Sequence, residues 1–207
     1  MNYIPMSFEF LSPINRQRSL TLIEKSGRVC YKSDSSYTEE TGSIFVKSIM
    51  KRGHLSVIEH IAVTVKIICN RGITHELVRH RVASYSQEST RYCDYSNDKK
   101  FDGQLNVIQL PVEYFDKEEI RNEFNKAFID AEGHYKKLRS LGVPAQIACN
   151  VLPINTKAEI VISANLREWL HIFRMRCAID AHPQMREIML KIQEAFIKEL
   201  PEIYGKG

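Results

Sequence analysis

IAVTVKIICNRGITHELVRHR, residues 61–81, changes its periodicity partway along. In Ile61–Cys69 the apolar Val63, Val65 and Ile67 alternate with Thr64 and Lys66, the period-two pattern of a half-buried strand. Past Asn70 the alternation stops, and Arg71–Arg81 reads as a short helix. A strand that runs straight into a helix places the chain in a mixed class. Upstream, residues 15–27 and 38–52 read as helices, the second with Ile44, Val46, Ile49 and Met50 as its apolar positions. Downstream, Ser84–Asn97 is a polar segment and residues 104–110 a strand ending at Pro111. Lys117–Leu141 is the clearest helix, with Ile120, Phe124, Phe128, Ala131, Tyr135 and Leu138 in a 3.6 period, an acidic first turn and a basic last turn. Pro144 opens a short helix, Glu159–Ser163 reads as a strand, and helices fill 166–178 and 184–200. The expected fold is α+β: one domain over residues 1–207, with helices packed around a small antiparallel or mixed sheet.

The chain has 207 residues, 43% hydrophobic and 26% charged, within the range of a folded globular protein. Its formal net charge of +4 is too small to mark a nucleic-acid binder and compatible with a small anionic ligand. The sequence contains no apolar run long enough for a membrane span. MNYIPMSFEFLSPINRQR lacks the basic and apolar regions of a secretory signal. Cys30, Cys69, Cys93, Cys149 and Cys177 form no CxxC, which reads as reduced thiols in a cytoplasmic protein. No HExxH or zinc-type spacing points to a metal, and GxGxxG, P-loop and GxSxG motifs are missing.

Two segments carry the candidate chemistry. In ELVRHRVASYSQESTRY (Glu76–Tyr92), helical spacing would put His75 with Arg79, Glu76 with His80 and Leu77 with Arg81, so that Arg79, His80 and Arg81 fan round the helix end. Ser84, Ser86, Gln87, Ser89, Thr90 and Arg91 follow. Guanidiniums beside hydroxyls suit a phosphate or a carbonyl-bearing heterocycle; the same pattern also fits a solvated helix end whose cations satisfy terminal carbonyls. In NLREWLHIFRMRCAIDAHPQMR (Asn165–Arg186), Arg167, His171 and Arg174 share one stripe, while Arg176 continues the apolar stripe of Trp169 and Phe173. A guanidinium there needs an anionic or carbonyl partner, either a ligand or an internal carboxylate such as Glu168 or Asp180.

RHRVASYSQES (Arg79–Ser89) resembles the signature of flavin-dependent thymidylate synthases, Arg-His-Arg followed by seven residues and a serine. GHLSVIEH (Gly53–His60), STRY (Ser89–Tyr92), VLP (Val151–Pro153), ANLREW (Ala164–Trp169) and MRC (Met175–Cys177) extend the likeness over roughly residues 20–195. The resemblance implies reductive methylation of dUMP to dTMP, with FAD and NADPH as cofactors and methylenetetrahydrofolate as carbon donor. It implies an α/β homotetramer with active sites shared between subunits, and no catalytic cysteine. It assigns Ser56, Arg79, His80, Arg81, Gln87, Asn165, Arg167 and His171 to the flavin. Glu76, Arg79, Gln87, Glu88, Ser89, Thr90, Arg91 and Arg176 fall to the nucleotide. Arg176 is the implied catalytic residue, facing the uracil edge and favouring its ionised N3 so that C5 becomes nucleophilic.

Five positions depart from the family pattern. Ser86-Gln87 stands where Asn-Glu is frequent, Glu76 where glutamine is, Cys149 where a basic residue usually helps hold the nucleotide, and Asp180 where His or Arg is frequent. These departures imply a compensating arginine elsewhere, for which Arg174 is a candidate, weaker dUMP binding in a degenerate paralogue, or a related flavoenzyme acting at C5 of another uridine nucleotide. A basic RNA- or DNA-binding module is the contrasting class; the arginine segments lack the interleaved aromatic residues it requires. Segments 71–91 and 165–186 each carry four arginines against two acids, so together they account for the chain's whole +4. The surplus is local, as expected of an anionic-ligand site.

Overall fold

The computed structural model describes residues 1–96 and 103–205; Asn97, the last residue of the expected polar segment, lies outside them. Six strands are described: β1 (Asn2–Ile4), β2 (Ser7–Phe10), β3 (Ala62–Asn70), β4 (Ala83–Gln87), β5 (Asn106–Ile108) and β6 (Lys157–Asn165). The helices are α1 (Arg16–Val29), α2 (Glu39–Lys51), α3 (Arg71–Leu77), α4 (Val112–Phe115), α5 (Glu118–Ser140), α6 (Ala145–Ala148), α7 (Leu166–Arg176), α8 (Pro183–Glu199) and α9 (Pro201–Tyr204). A four-stranded sheet runs β2-β3-β6-β4, and β1 pairs in parallel with β5, Tyr3 opposite Val107. The architecture is mixed α and β with small sheets. Among the described residues, no helix is long and apolar enough to cross a membrane.

The chain forms two compact units. One comprises Met1–Ser7, Ile67–Arg79 and Ser86–Val161; the other comprises Phe8–Lys66, His80–Tyr85 and Ile162–Gly207. In the second unit, Trp169, Phe173, Phe196 and Tyr204 interlock edge to face and tilted, with centroids 5.0–5.8 Å apart. The buried indole still finds a partner, Nε1 donating to the Val63 carbonyl at 3.2 Å. The first unit has smaller cores, one around Tyr95, Tyr135 and Ala148 and one around Leu105, Val107 and Phe128.

The helices start and stop where local chemistry dictates. Thr38 and Thr41 form a reciprocal capping box on α2. Gly53, with φ at 71°, ends the same helix: its N–H donates to the Met50 carbonyl and that of His54 to Ile49, both at 3.0 Å. This left-handed stop favours glycine and turns the chain into the 3₁₀ segment Leu55–His60, which carries Ser56. Within α2, Val46 and Ile49 are buried, whereas Ile44 remains 64% exposed.

Two expectations are corrected here. The helix read over Arg71–Arg81 stops at Leu77, and the Arg79 N–H folds back onto the Glu76 carbonyl in a tight turn. Arg79, His80 and Arg81 therefore do not share a helical surface. The central histidine is buried, while the two arginines are exposed. The start of the polar segment is not a loop but the strand β4, with Ala83, Tyr85 and Gln87 half-buried and Ser84 and Ser86 exposed. At one end of the sheet order, its backbone has a ladder neighbour without needing two apolar faces. The strands β1 and β2 and the short helices α4 and α9 have too few residues for a periodic signal, and sequence reading passed over them.

Candidate active site

In the unit containing α7, one surface cavity of about 630 Å³ is lined by Leu55, Val82, Asn165, Arg167, Glu168, Leu170, His171 and Arg174. Most of these residues lie on the first turns of α7, because β6 ends in the cap of that helix. The Asn165 side chain accepts from the Glu168 N–H at 2.8 Å, which leaves its amide nitrogen for other partners. Arg167 pairs with Glu59 at 2.5 Å, and His171 Nδ1 lies 3.2 Å from Arg174 Nη2. The stripe of Arg167, His171 and Arg174 expected from helical spacing thus forms one wall of a cavity.

Behind this wall sits His80, 6% exposed. Arg176 Nε donates to His80 Nε2 at 3.0 Å, which leaves the ring proton on Nδ1, 3.5 Å from a Glu168 carboxylate oxygen. Burial, then the neighbouring Arg176 and His171, push the imidazole down to about 4. At neutral pH His80 is uncharged, so its approach to Glu168 is a polar contact rather than an ion pair. The Tyr85 hydroxyl donates to the His80 carbonyl at 2.8 Å and fixes the backbone. Burial, helped by Glu168, pushes that phenol up to about 12. Arg176, half-buried at the end of α7, therefore has one partner in a neutral histidine, which the sequence had not offered beside the carboxylates of Glu168 and Asp180.

His80, Glu168 and His171 each bring one ligand-type atom within 4.8 Å of the others. The chemistry of the set argues against a metal. The lone pair of His80 Nε2 is taken by Arg176, and two guanidiniums already stand against the imidazoles. The arrangement suits hydrogen bonding to a planar, carbonyl-bearing or anionic ligand.

The other unit holds the remaining signature residues. Gln87 donates to the Thr74 hydroxyl at 2.9 Å. Glu88 accepts from Tyr95 OH at 2.9 Å, from Lys157 Nζ at 3.0 Å and from the Glu159 N–H at 3.2 Å. Burial alone would lower the Lys157 ammonium, but bonds to Glu159 and Glu88 hold it above its ordinary value. The Ser89 carbonyl accepts from the N–H groups of Tyr92 and Cys93, closing a turn that leaves Arg91 exposed over the Tyr92 ring. A second cavity of about 290 Å³ lies beside this turn, with Thr90 and Cys149 in its wall.

The structure thus gathers His80, Asn165, Arg167, His171 and Arg176 around the end of β6 and along α7, with Ser56 exposed on the nearby 3₁₀ turn. Arg81 is exposed just before β4. Glu76, Arg79, Gln87, Glu88, Ser89, Thr90 and Arg91 belong to the other unit, where the Glu88 carboxylate is occupied by internal partners. Sequence reading missed Lys157, Tyr95 and Thr74 as supports of this segment. The alternation of Lys157 and Glu159 on one face of a strand was the available signal.

Residues 14–202 match the family model described as thymidylate synthase complementing protein. The chain is 32% identical over 186 residues to the flavin-dependent thymidylate synthase of Geobacter sulfurreducens, covering 86% of this chain and 78% of that protein. It is equally 32% identical over 202 residues to the flavin-dependent thymidylate synthase of Mycobacteroides abscessus, covering 89% and 78%. Among solved structures it resembles the UMP/dUMP methylase PolB of Streptomyces cacaoi, determined with 5-Br dUMP bound. The TM-score is 0.81 over 96% of this chain and 93% of that one, at 18% identity, a likeness of fold.

Proposed function

Since the chain belongs to the thymidylate synthase complementing protein family, with flavin-dependent thymidylate synthases as relatives, we propose that it converts dUMP to dTMP by flavin-dependent reductive methylation. The observation that carries the reading is the Arg176–His80 contact. A neutral imidazole accepts from Nε of the guanidinium and so fixes the plane in which that fork can meet a pyrimidine.

The α7 cavity fits a flavin dinucleotide. Its volume of about 630 Å³ lies within the range of cofactor clefts, with arginines for a pyrophosphate and amide and imidazole groups for a ring system. Arg167 and Arg174 would neutralise the phosphates, while Asn165 and His171 would hydrogen-bond the flavin, with Ser56 and Arg81 of the same unit adding contacts. When bound there, a flavin would supply redox chemistry, with NADPH as its reductant and methylenetetrahydrofolate as the carbon source. Arg176 faces O4 and N3 of the uracil, stabilises negative charge there and raises the electron density at C5. His80 stays neutral and orients that guanidinium; a charged imidazole would repel it. Ser89, Thr90 and Arg91 hold the nucleotide, and Glu88 anchors their turn through Lys157 and Tyr95. We place these sites in a homotetramer that completes them between subunits. Ile179, 93% exposed, and Tyr92, 82% exposed, are surfaces that such an assembly would cover.

Purified protein should show oxidised-flavin absorbance and oxidise NADPH in response to dUMP, releasing dTMP when methylenetetrahydrofolate is present. Protein that takes up no flavin refutes the proposal. Oxidation stimulated by UMP and not by dUMP would instead assign the chain to a related enzyme of the same chemistry.

A further inference from the structure

A cavity of about 370 Å³ lies in the same unit as α7 and shares no lining residue with the cavity there. Asn15, Arg18, Ser19 and Leu22, on one face of the start of α1, form one wall. His60–Val63, where the chain enters β3, form another, and none of the lining residues is acidic. Ser19 is 5% exposed, yet its hydroxyl has no hydrogen-bond partner among the described residues and is not sealed from solvent. That hydroxyl therefore opens on the cavity Ser19 lines. A largely buried hydroxyl without a partner carries a cost that a bound ligand would relieve. The neighbouring polar groups already accept from the backbone. Asn15 Oδ1 takes the Arg18 N–H at 2.8 Å, and Ser12 Oγ takes the Thr64 N–H at 2.8 Å. What they keep for a ligand is an amide NH₂ and a hydroxyl proton. Beside them stand the His60 imidazole and the Arg18 guanidinium, which makes no ion pair among the described residues. The N-terminus of the 14-residue α1 adds its positive partial charge.

We propose that this cavity binds a small organic carboxylate, a single anionic group on an apolar body about one ring in size. An excess of donors over free acceptors selects an anion. One guanidinium matches one negative charge, and its planar fork matches a carboxylate. Ile14, Leu22, Ile61 and Val63 make much of the remaining wall apolar, which an inorganic anion could not use. The volume is at the low end of ligand pockets, the size for one ring with its carboxylate. The Ser19 hydroxyl gains in the ligand the partner it lacks within the chain. This site is independent of the flavin and nucleotide sites proposed above.

The test is a titration of the purified full chain, in excess FAD, with 4-fluorobenzoate, followed by ¹⁹F NMR. The uncharged 4-fluorobenzamide serves as control and inorganic phosphate as competitor. The benzoate should bind saturably, the benzamide about tenfold more weakly or worse, and phosphate should not displace the probe. Arg18→Gln should weaken binding between about tenfold and about a hundredfold, the worth of a charged hydrogen bond. Ser19→Ala should weaken it between about twofold and about tenfold, the worth of a neutral one. Asn15→Asp keeps the cap on α1 but sets a carboxylate against the ligand. It should abolish binding without lowering the melting temperature, a separation that a merely structural defect would not give. Absence of saturable binding would overturn the proposal, as would equal affinity for the benzamide, displacement by equimolar phosphate, or undiminished affinity in Ser19→Ala. Binding that Arg18→Gln and Asn15→Asp leave within about twofold of wild type would place the probe elsewhere and overturn it as well.

Discussion

Replacing His80 with glutamine should remove a specific part of the protein's acid sensitivity. The buried imidazole is held down to about 4 by burial and by its Arg176 and His171 neighbours. In the unfolded chain it titrates at about 6.5. As the pH falls below that value the unfolded state takes up a proton that the folded state refuses. Stability present above the unfolded pKa is therefore lost as pH falls toward the folded one. From about pH 7 to about pH 5 the loss comes to roughly 2 kcal/mol, and it approaches about 3 kcal/mol below the folded value. The glutamine carbonyl can still accept from Arg176 Nε but does not titrate, so the variant lacks this component. Carboxylates such as Asp94, held low chiefly by Arg139, titrate in both proteins and cancel in the comparison. Urea unfolding at several pH values and fixed protein concentration measures the difference. Wild type should lose about 2 kcal/mol more than the variant between about pH 7 and about pH 5. Parallel pH profiles would refute the neutral-histidine argument, and with it the proposed way of orienting Arg176.

Arg176→Lys should retain the flavin spectrum but lower dUMP-dependent NADPH oxidation about a hundredfold or more, since an ammonium reproduces neither the bond to His80 nor the planar donor edge. Lys157→Met should destabilise the fold by about 2–4 kcal/mol in urea, because it strands the Glu88 carboxylate, whose side chain is 10% exposed; adding Glu88→Gln should recover much of that loss. Asn165→Ala should cost about 1 kcal/mol through the lost α7 cap, read as a lower melting temperature, whereas Asn165→Asp should keep the cap.

What could be read in advance follows from the range of the forces involved. The alternation in β3 and the 3.6 period of α5 are local, and both elements lie within a residue or so of the expected bounds. The strand read at Glu159–Ser163 is longer, Lys157–Asn165, because ladder partners recruit flanking residues whose apolar members, the buried Ala158 and Ala164, carry only a weak signal. β4 escaped reading for the same reason: its serines are tolerated by neighbouring backbone, not selected by burial. The stripe of Arg167, His171 and Arg174 was legible because a helix fixes spacing. The partner of Arg176 was not, because His80 lies ninety-six positions away in the chain.

By itself, the sequence determined the mixed class, most element positions and, through the ordered motifs, the family and the two arginine-rich segments that carry its net charge. Tertiary structure alone decided what each of those charges does. It ended α3 at Leu77 and buried His80 between exposed arginines. It gave Arg176 a neutral partner and turned Glu88 inward onto Lys157. Helical and strand periodicities are encoded in neighbouring residues, whereas burial and the pairing of charges depend on which distant segments pack together.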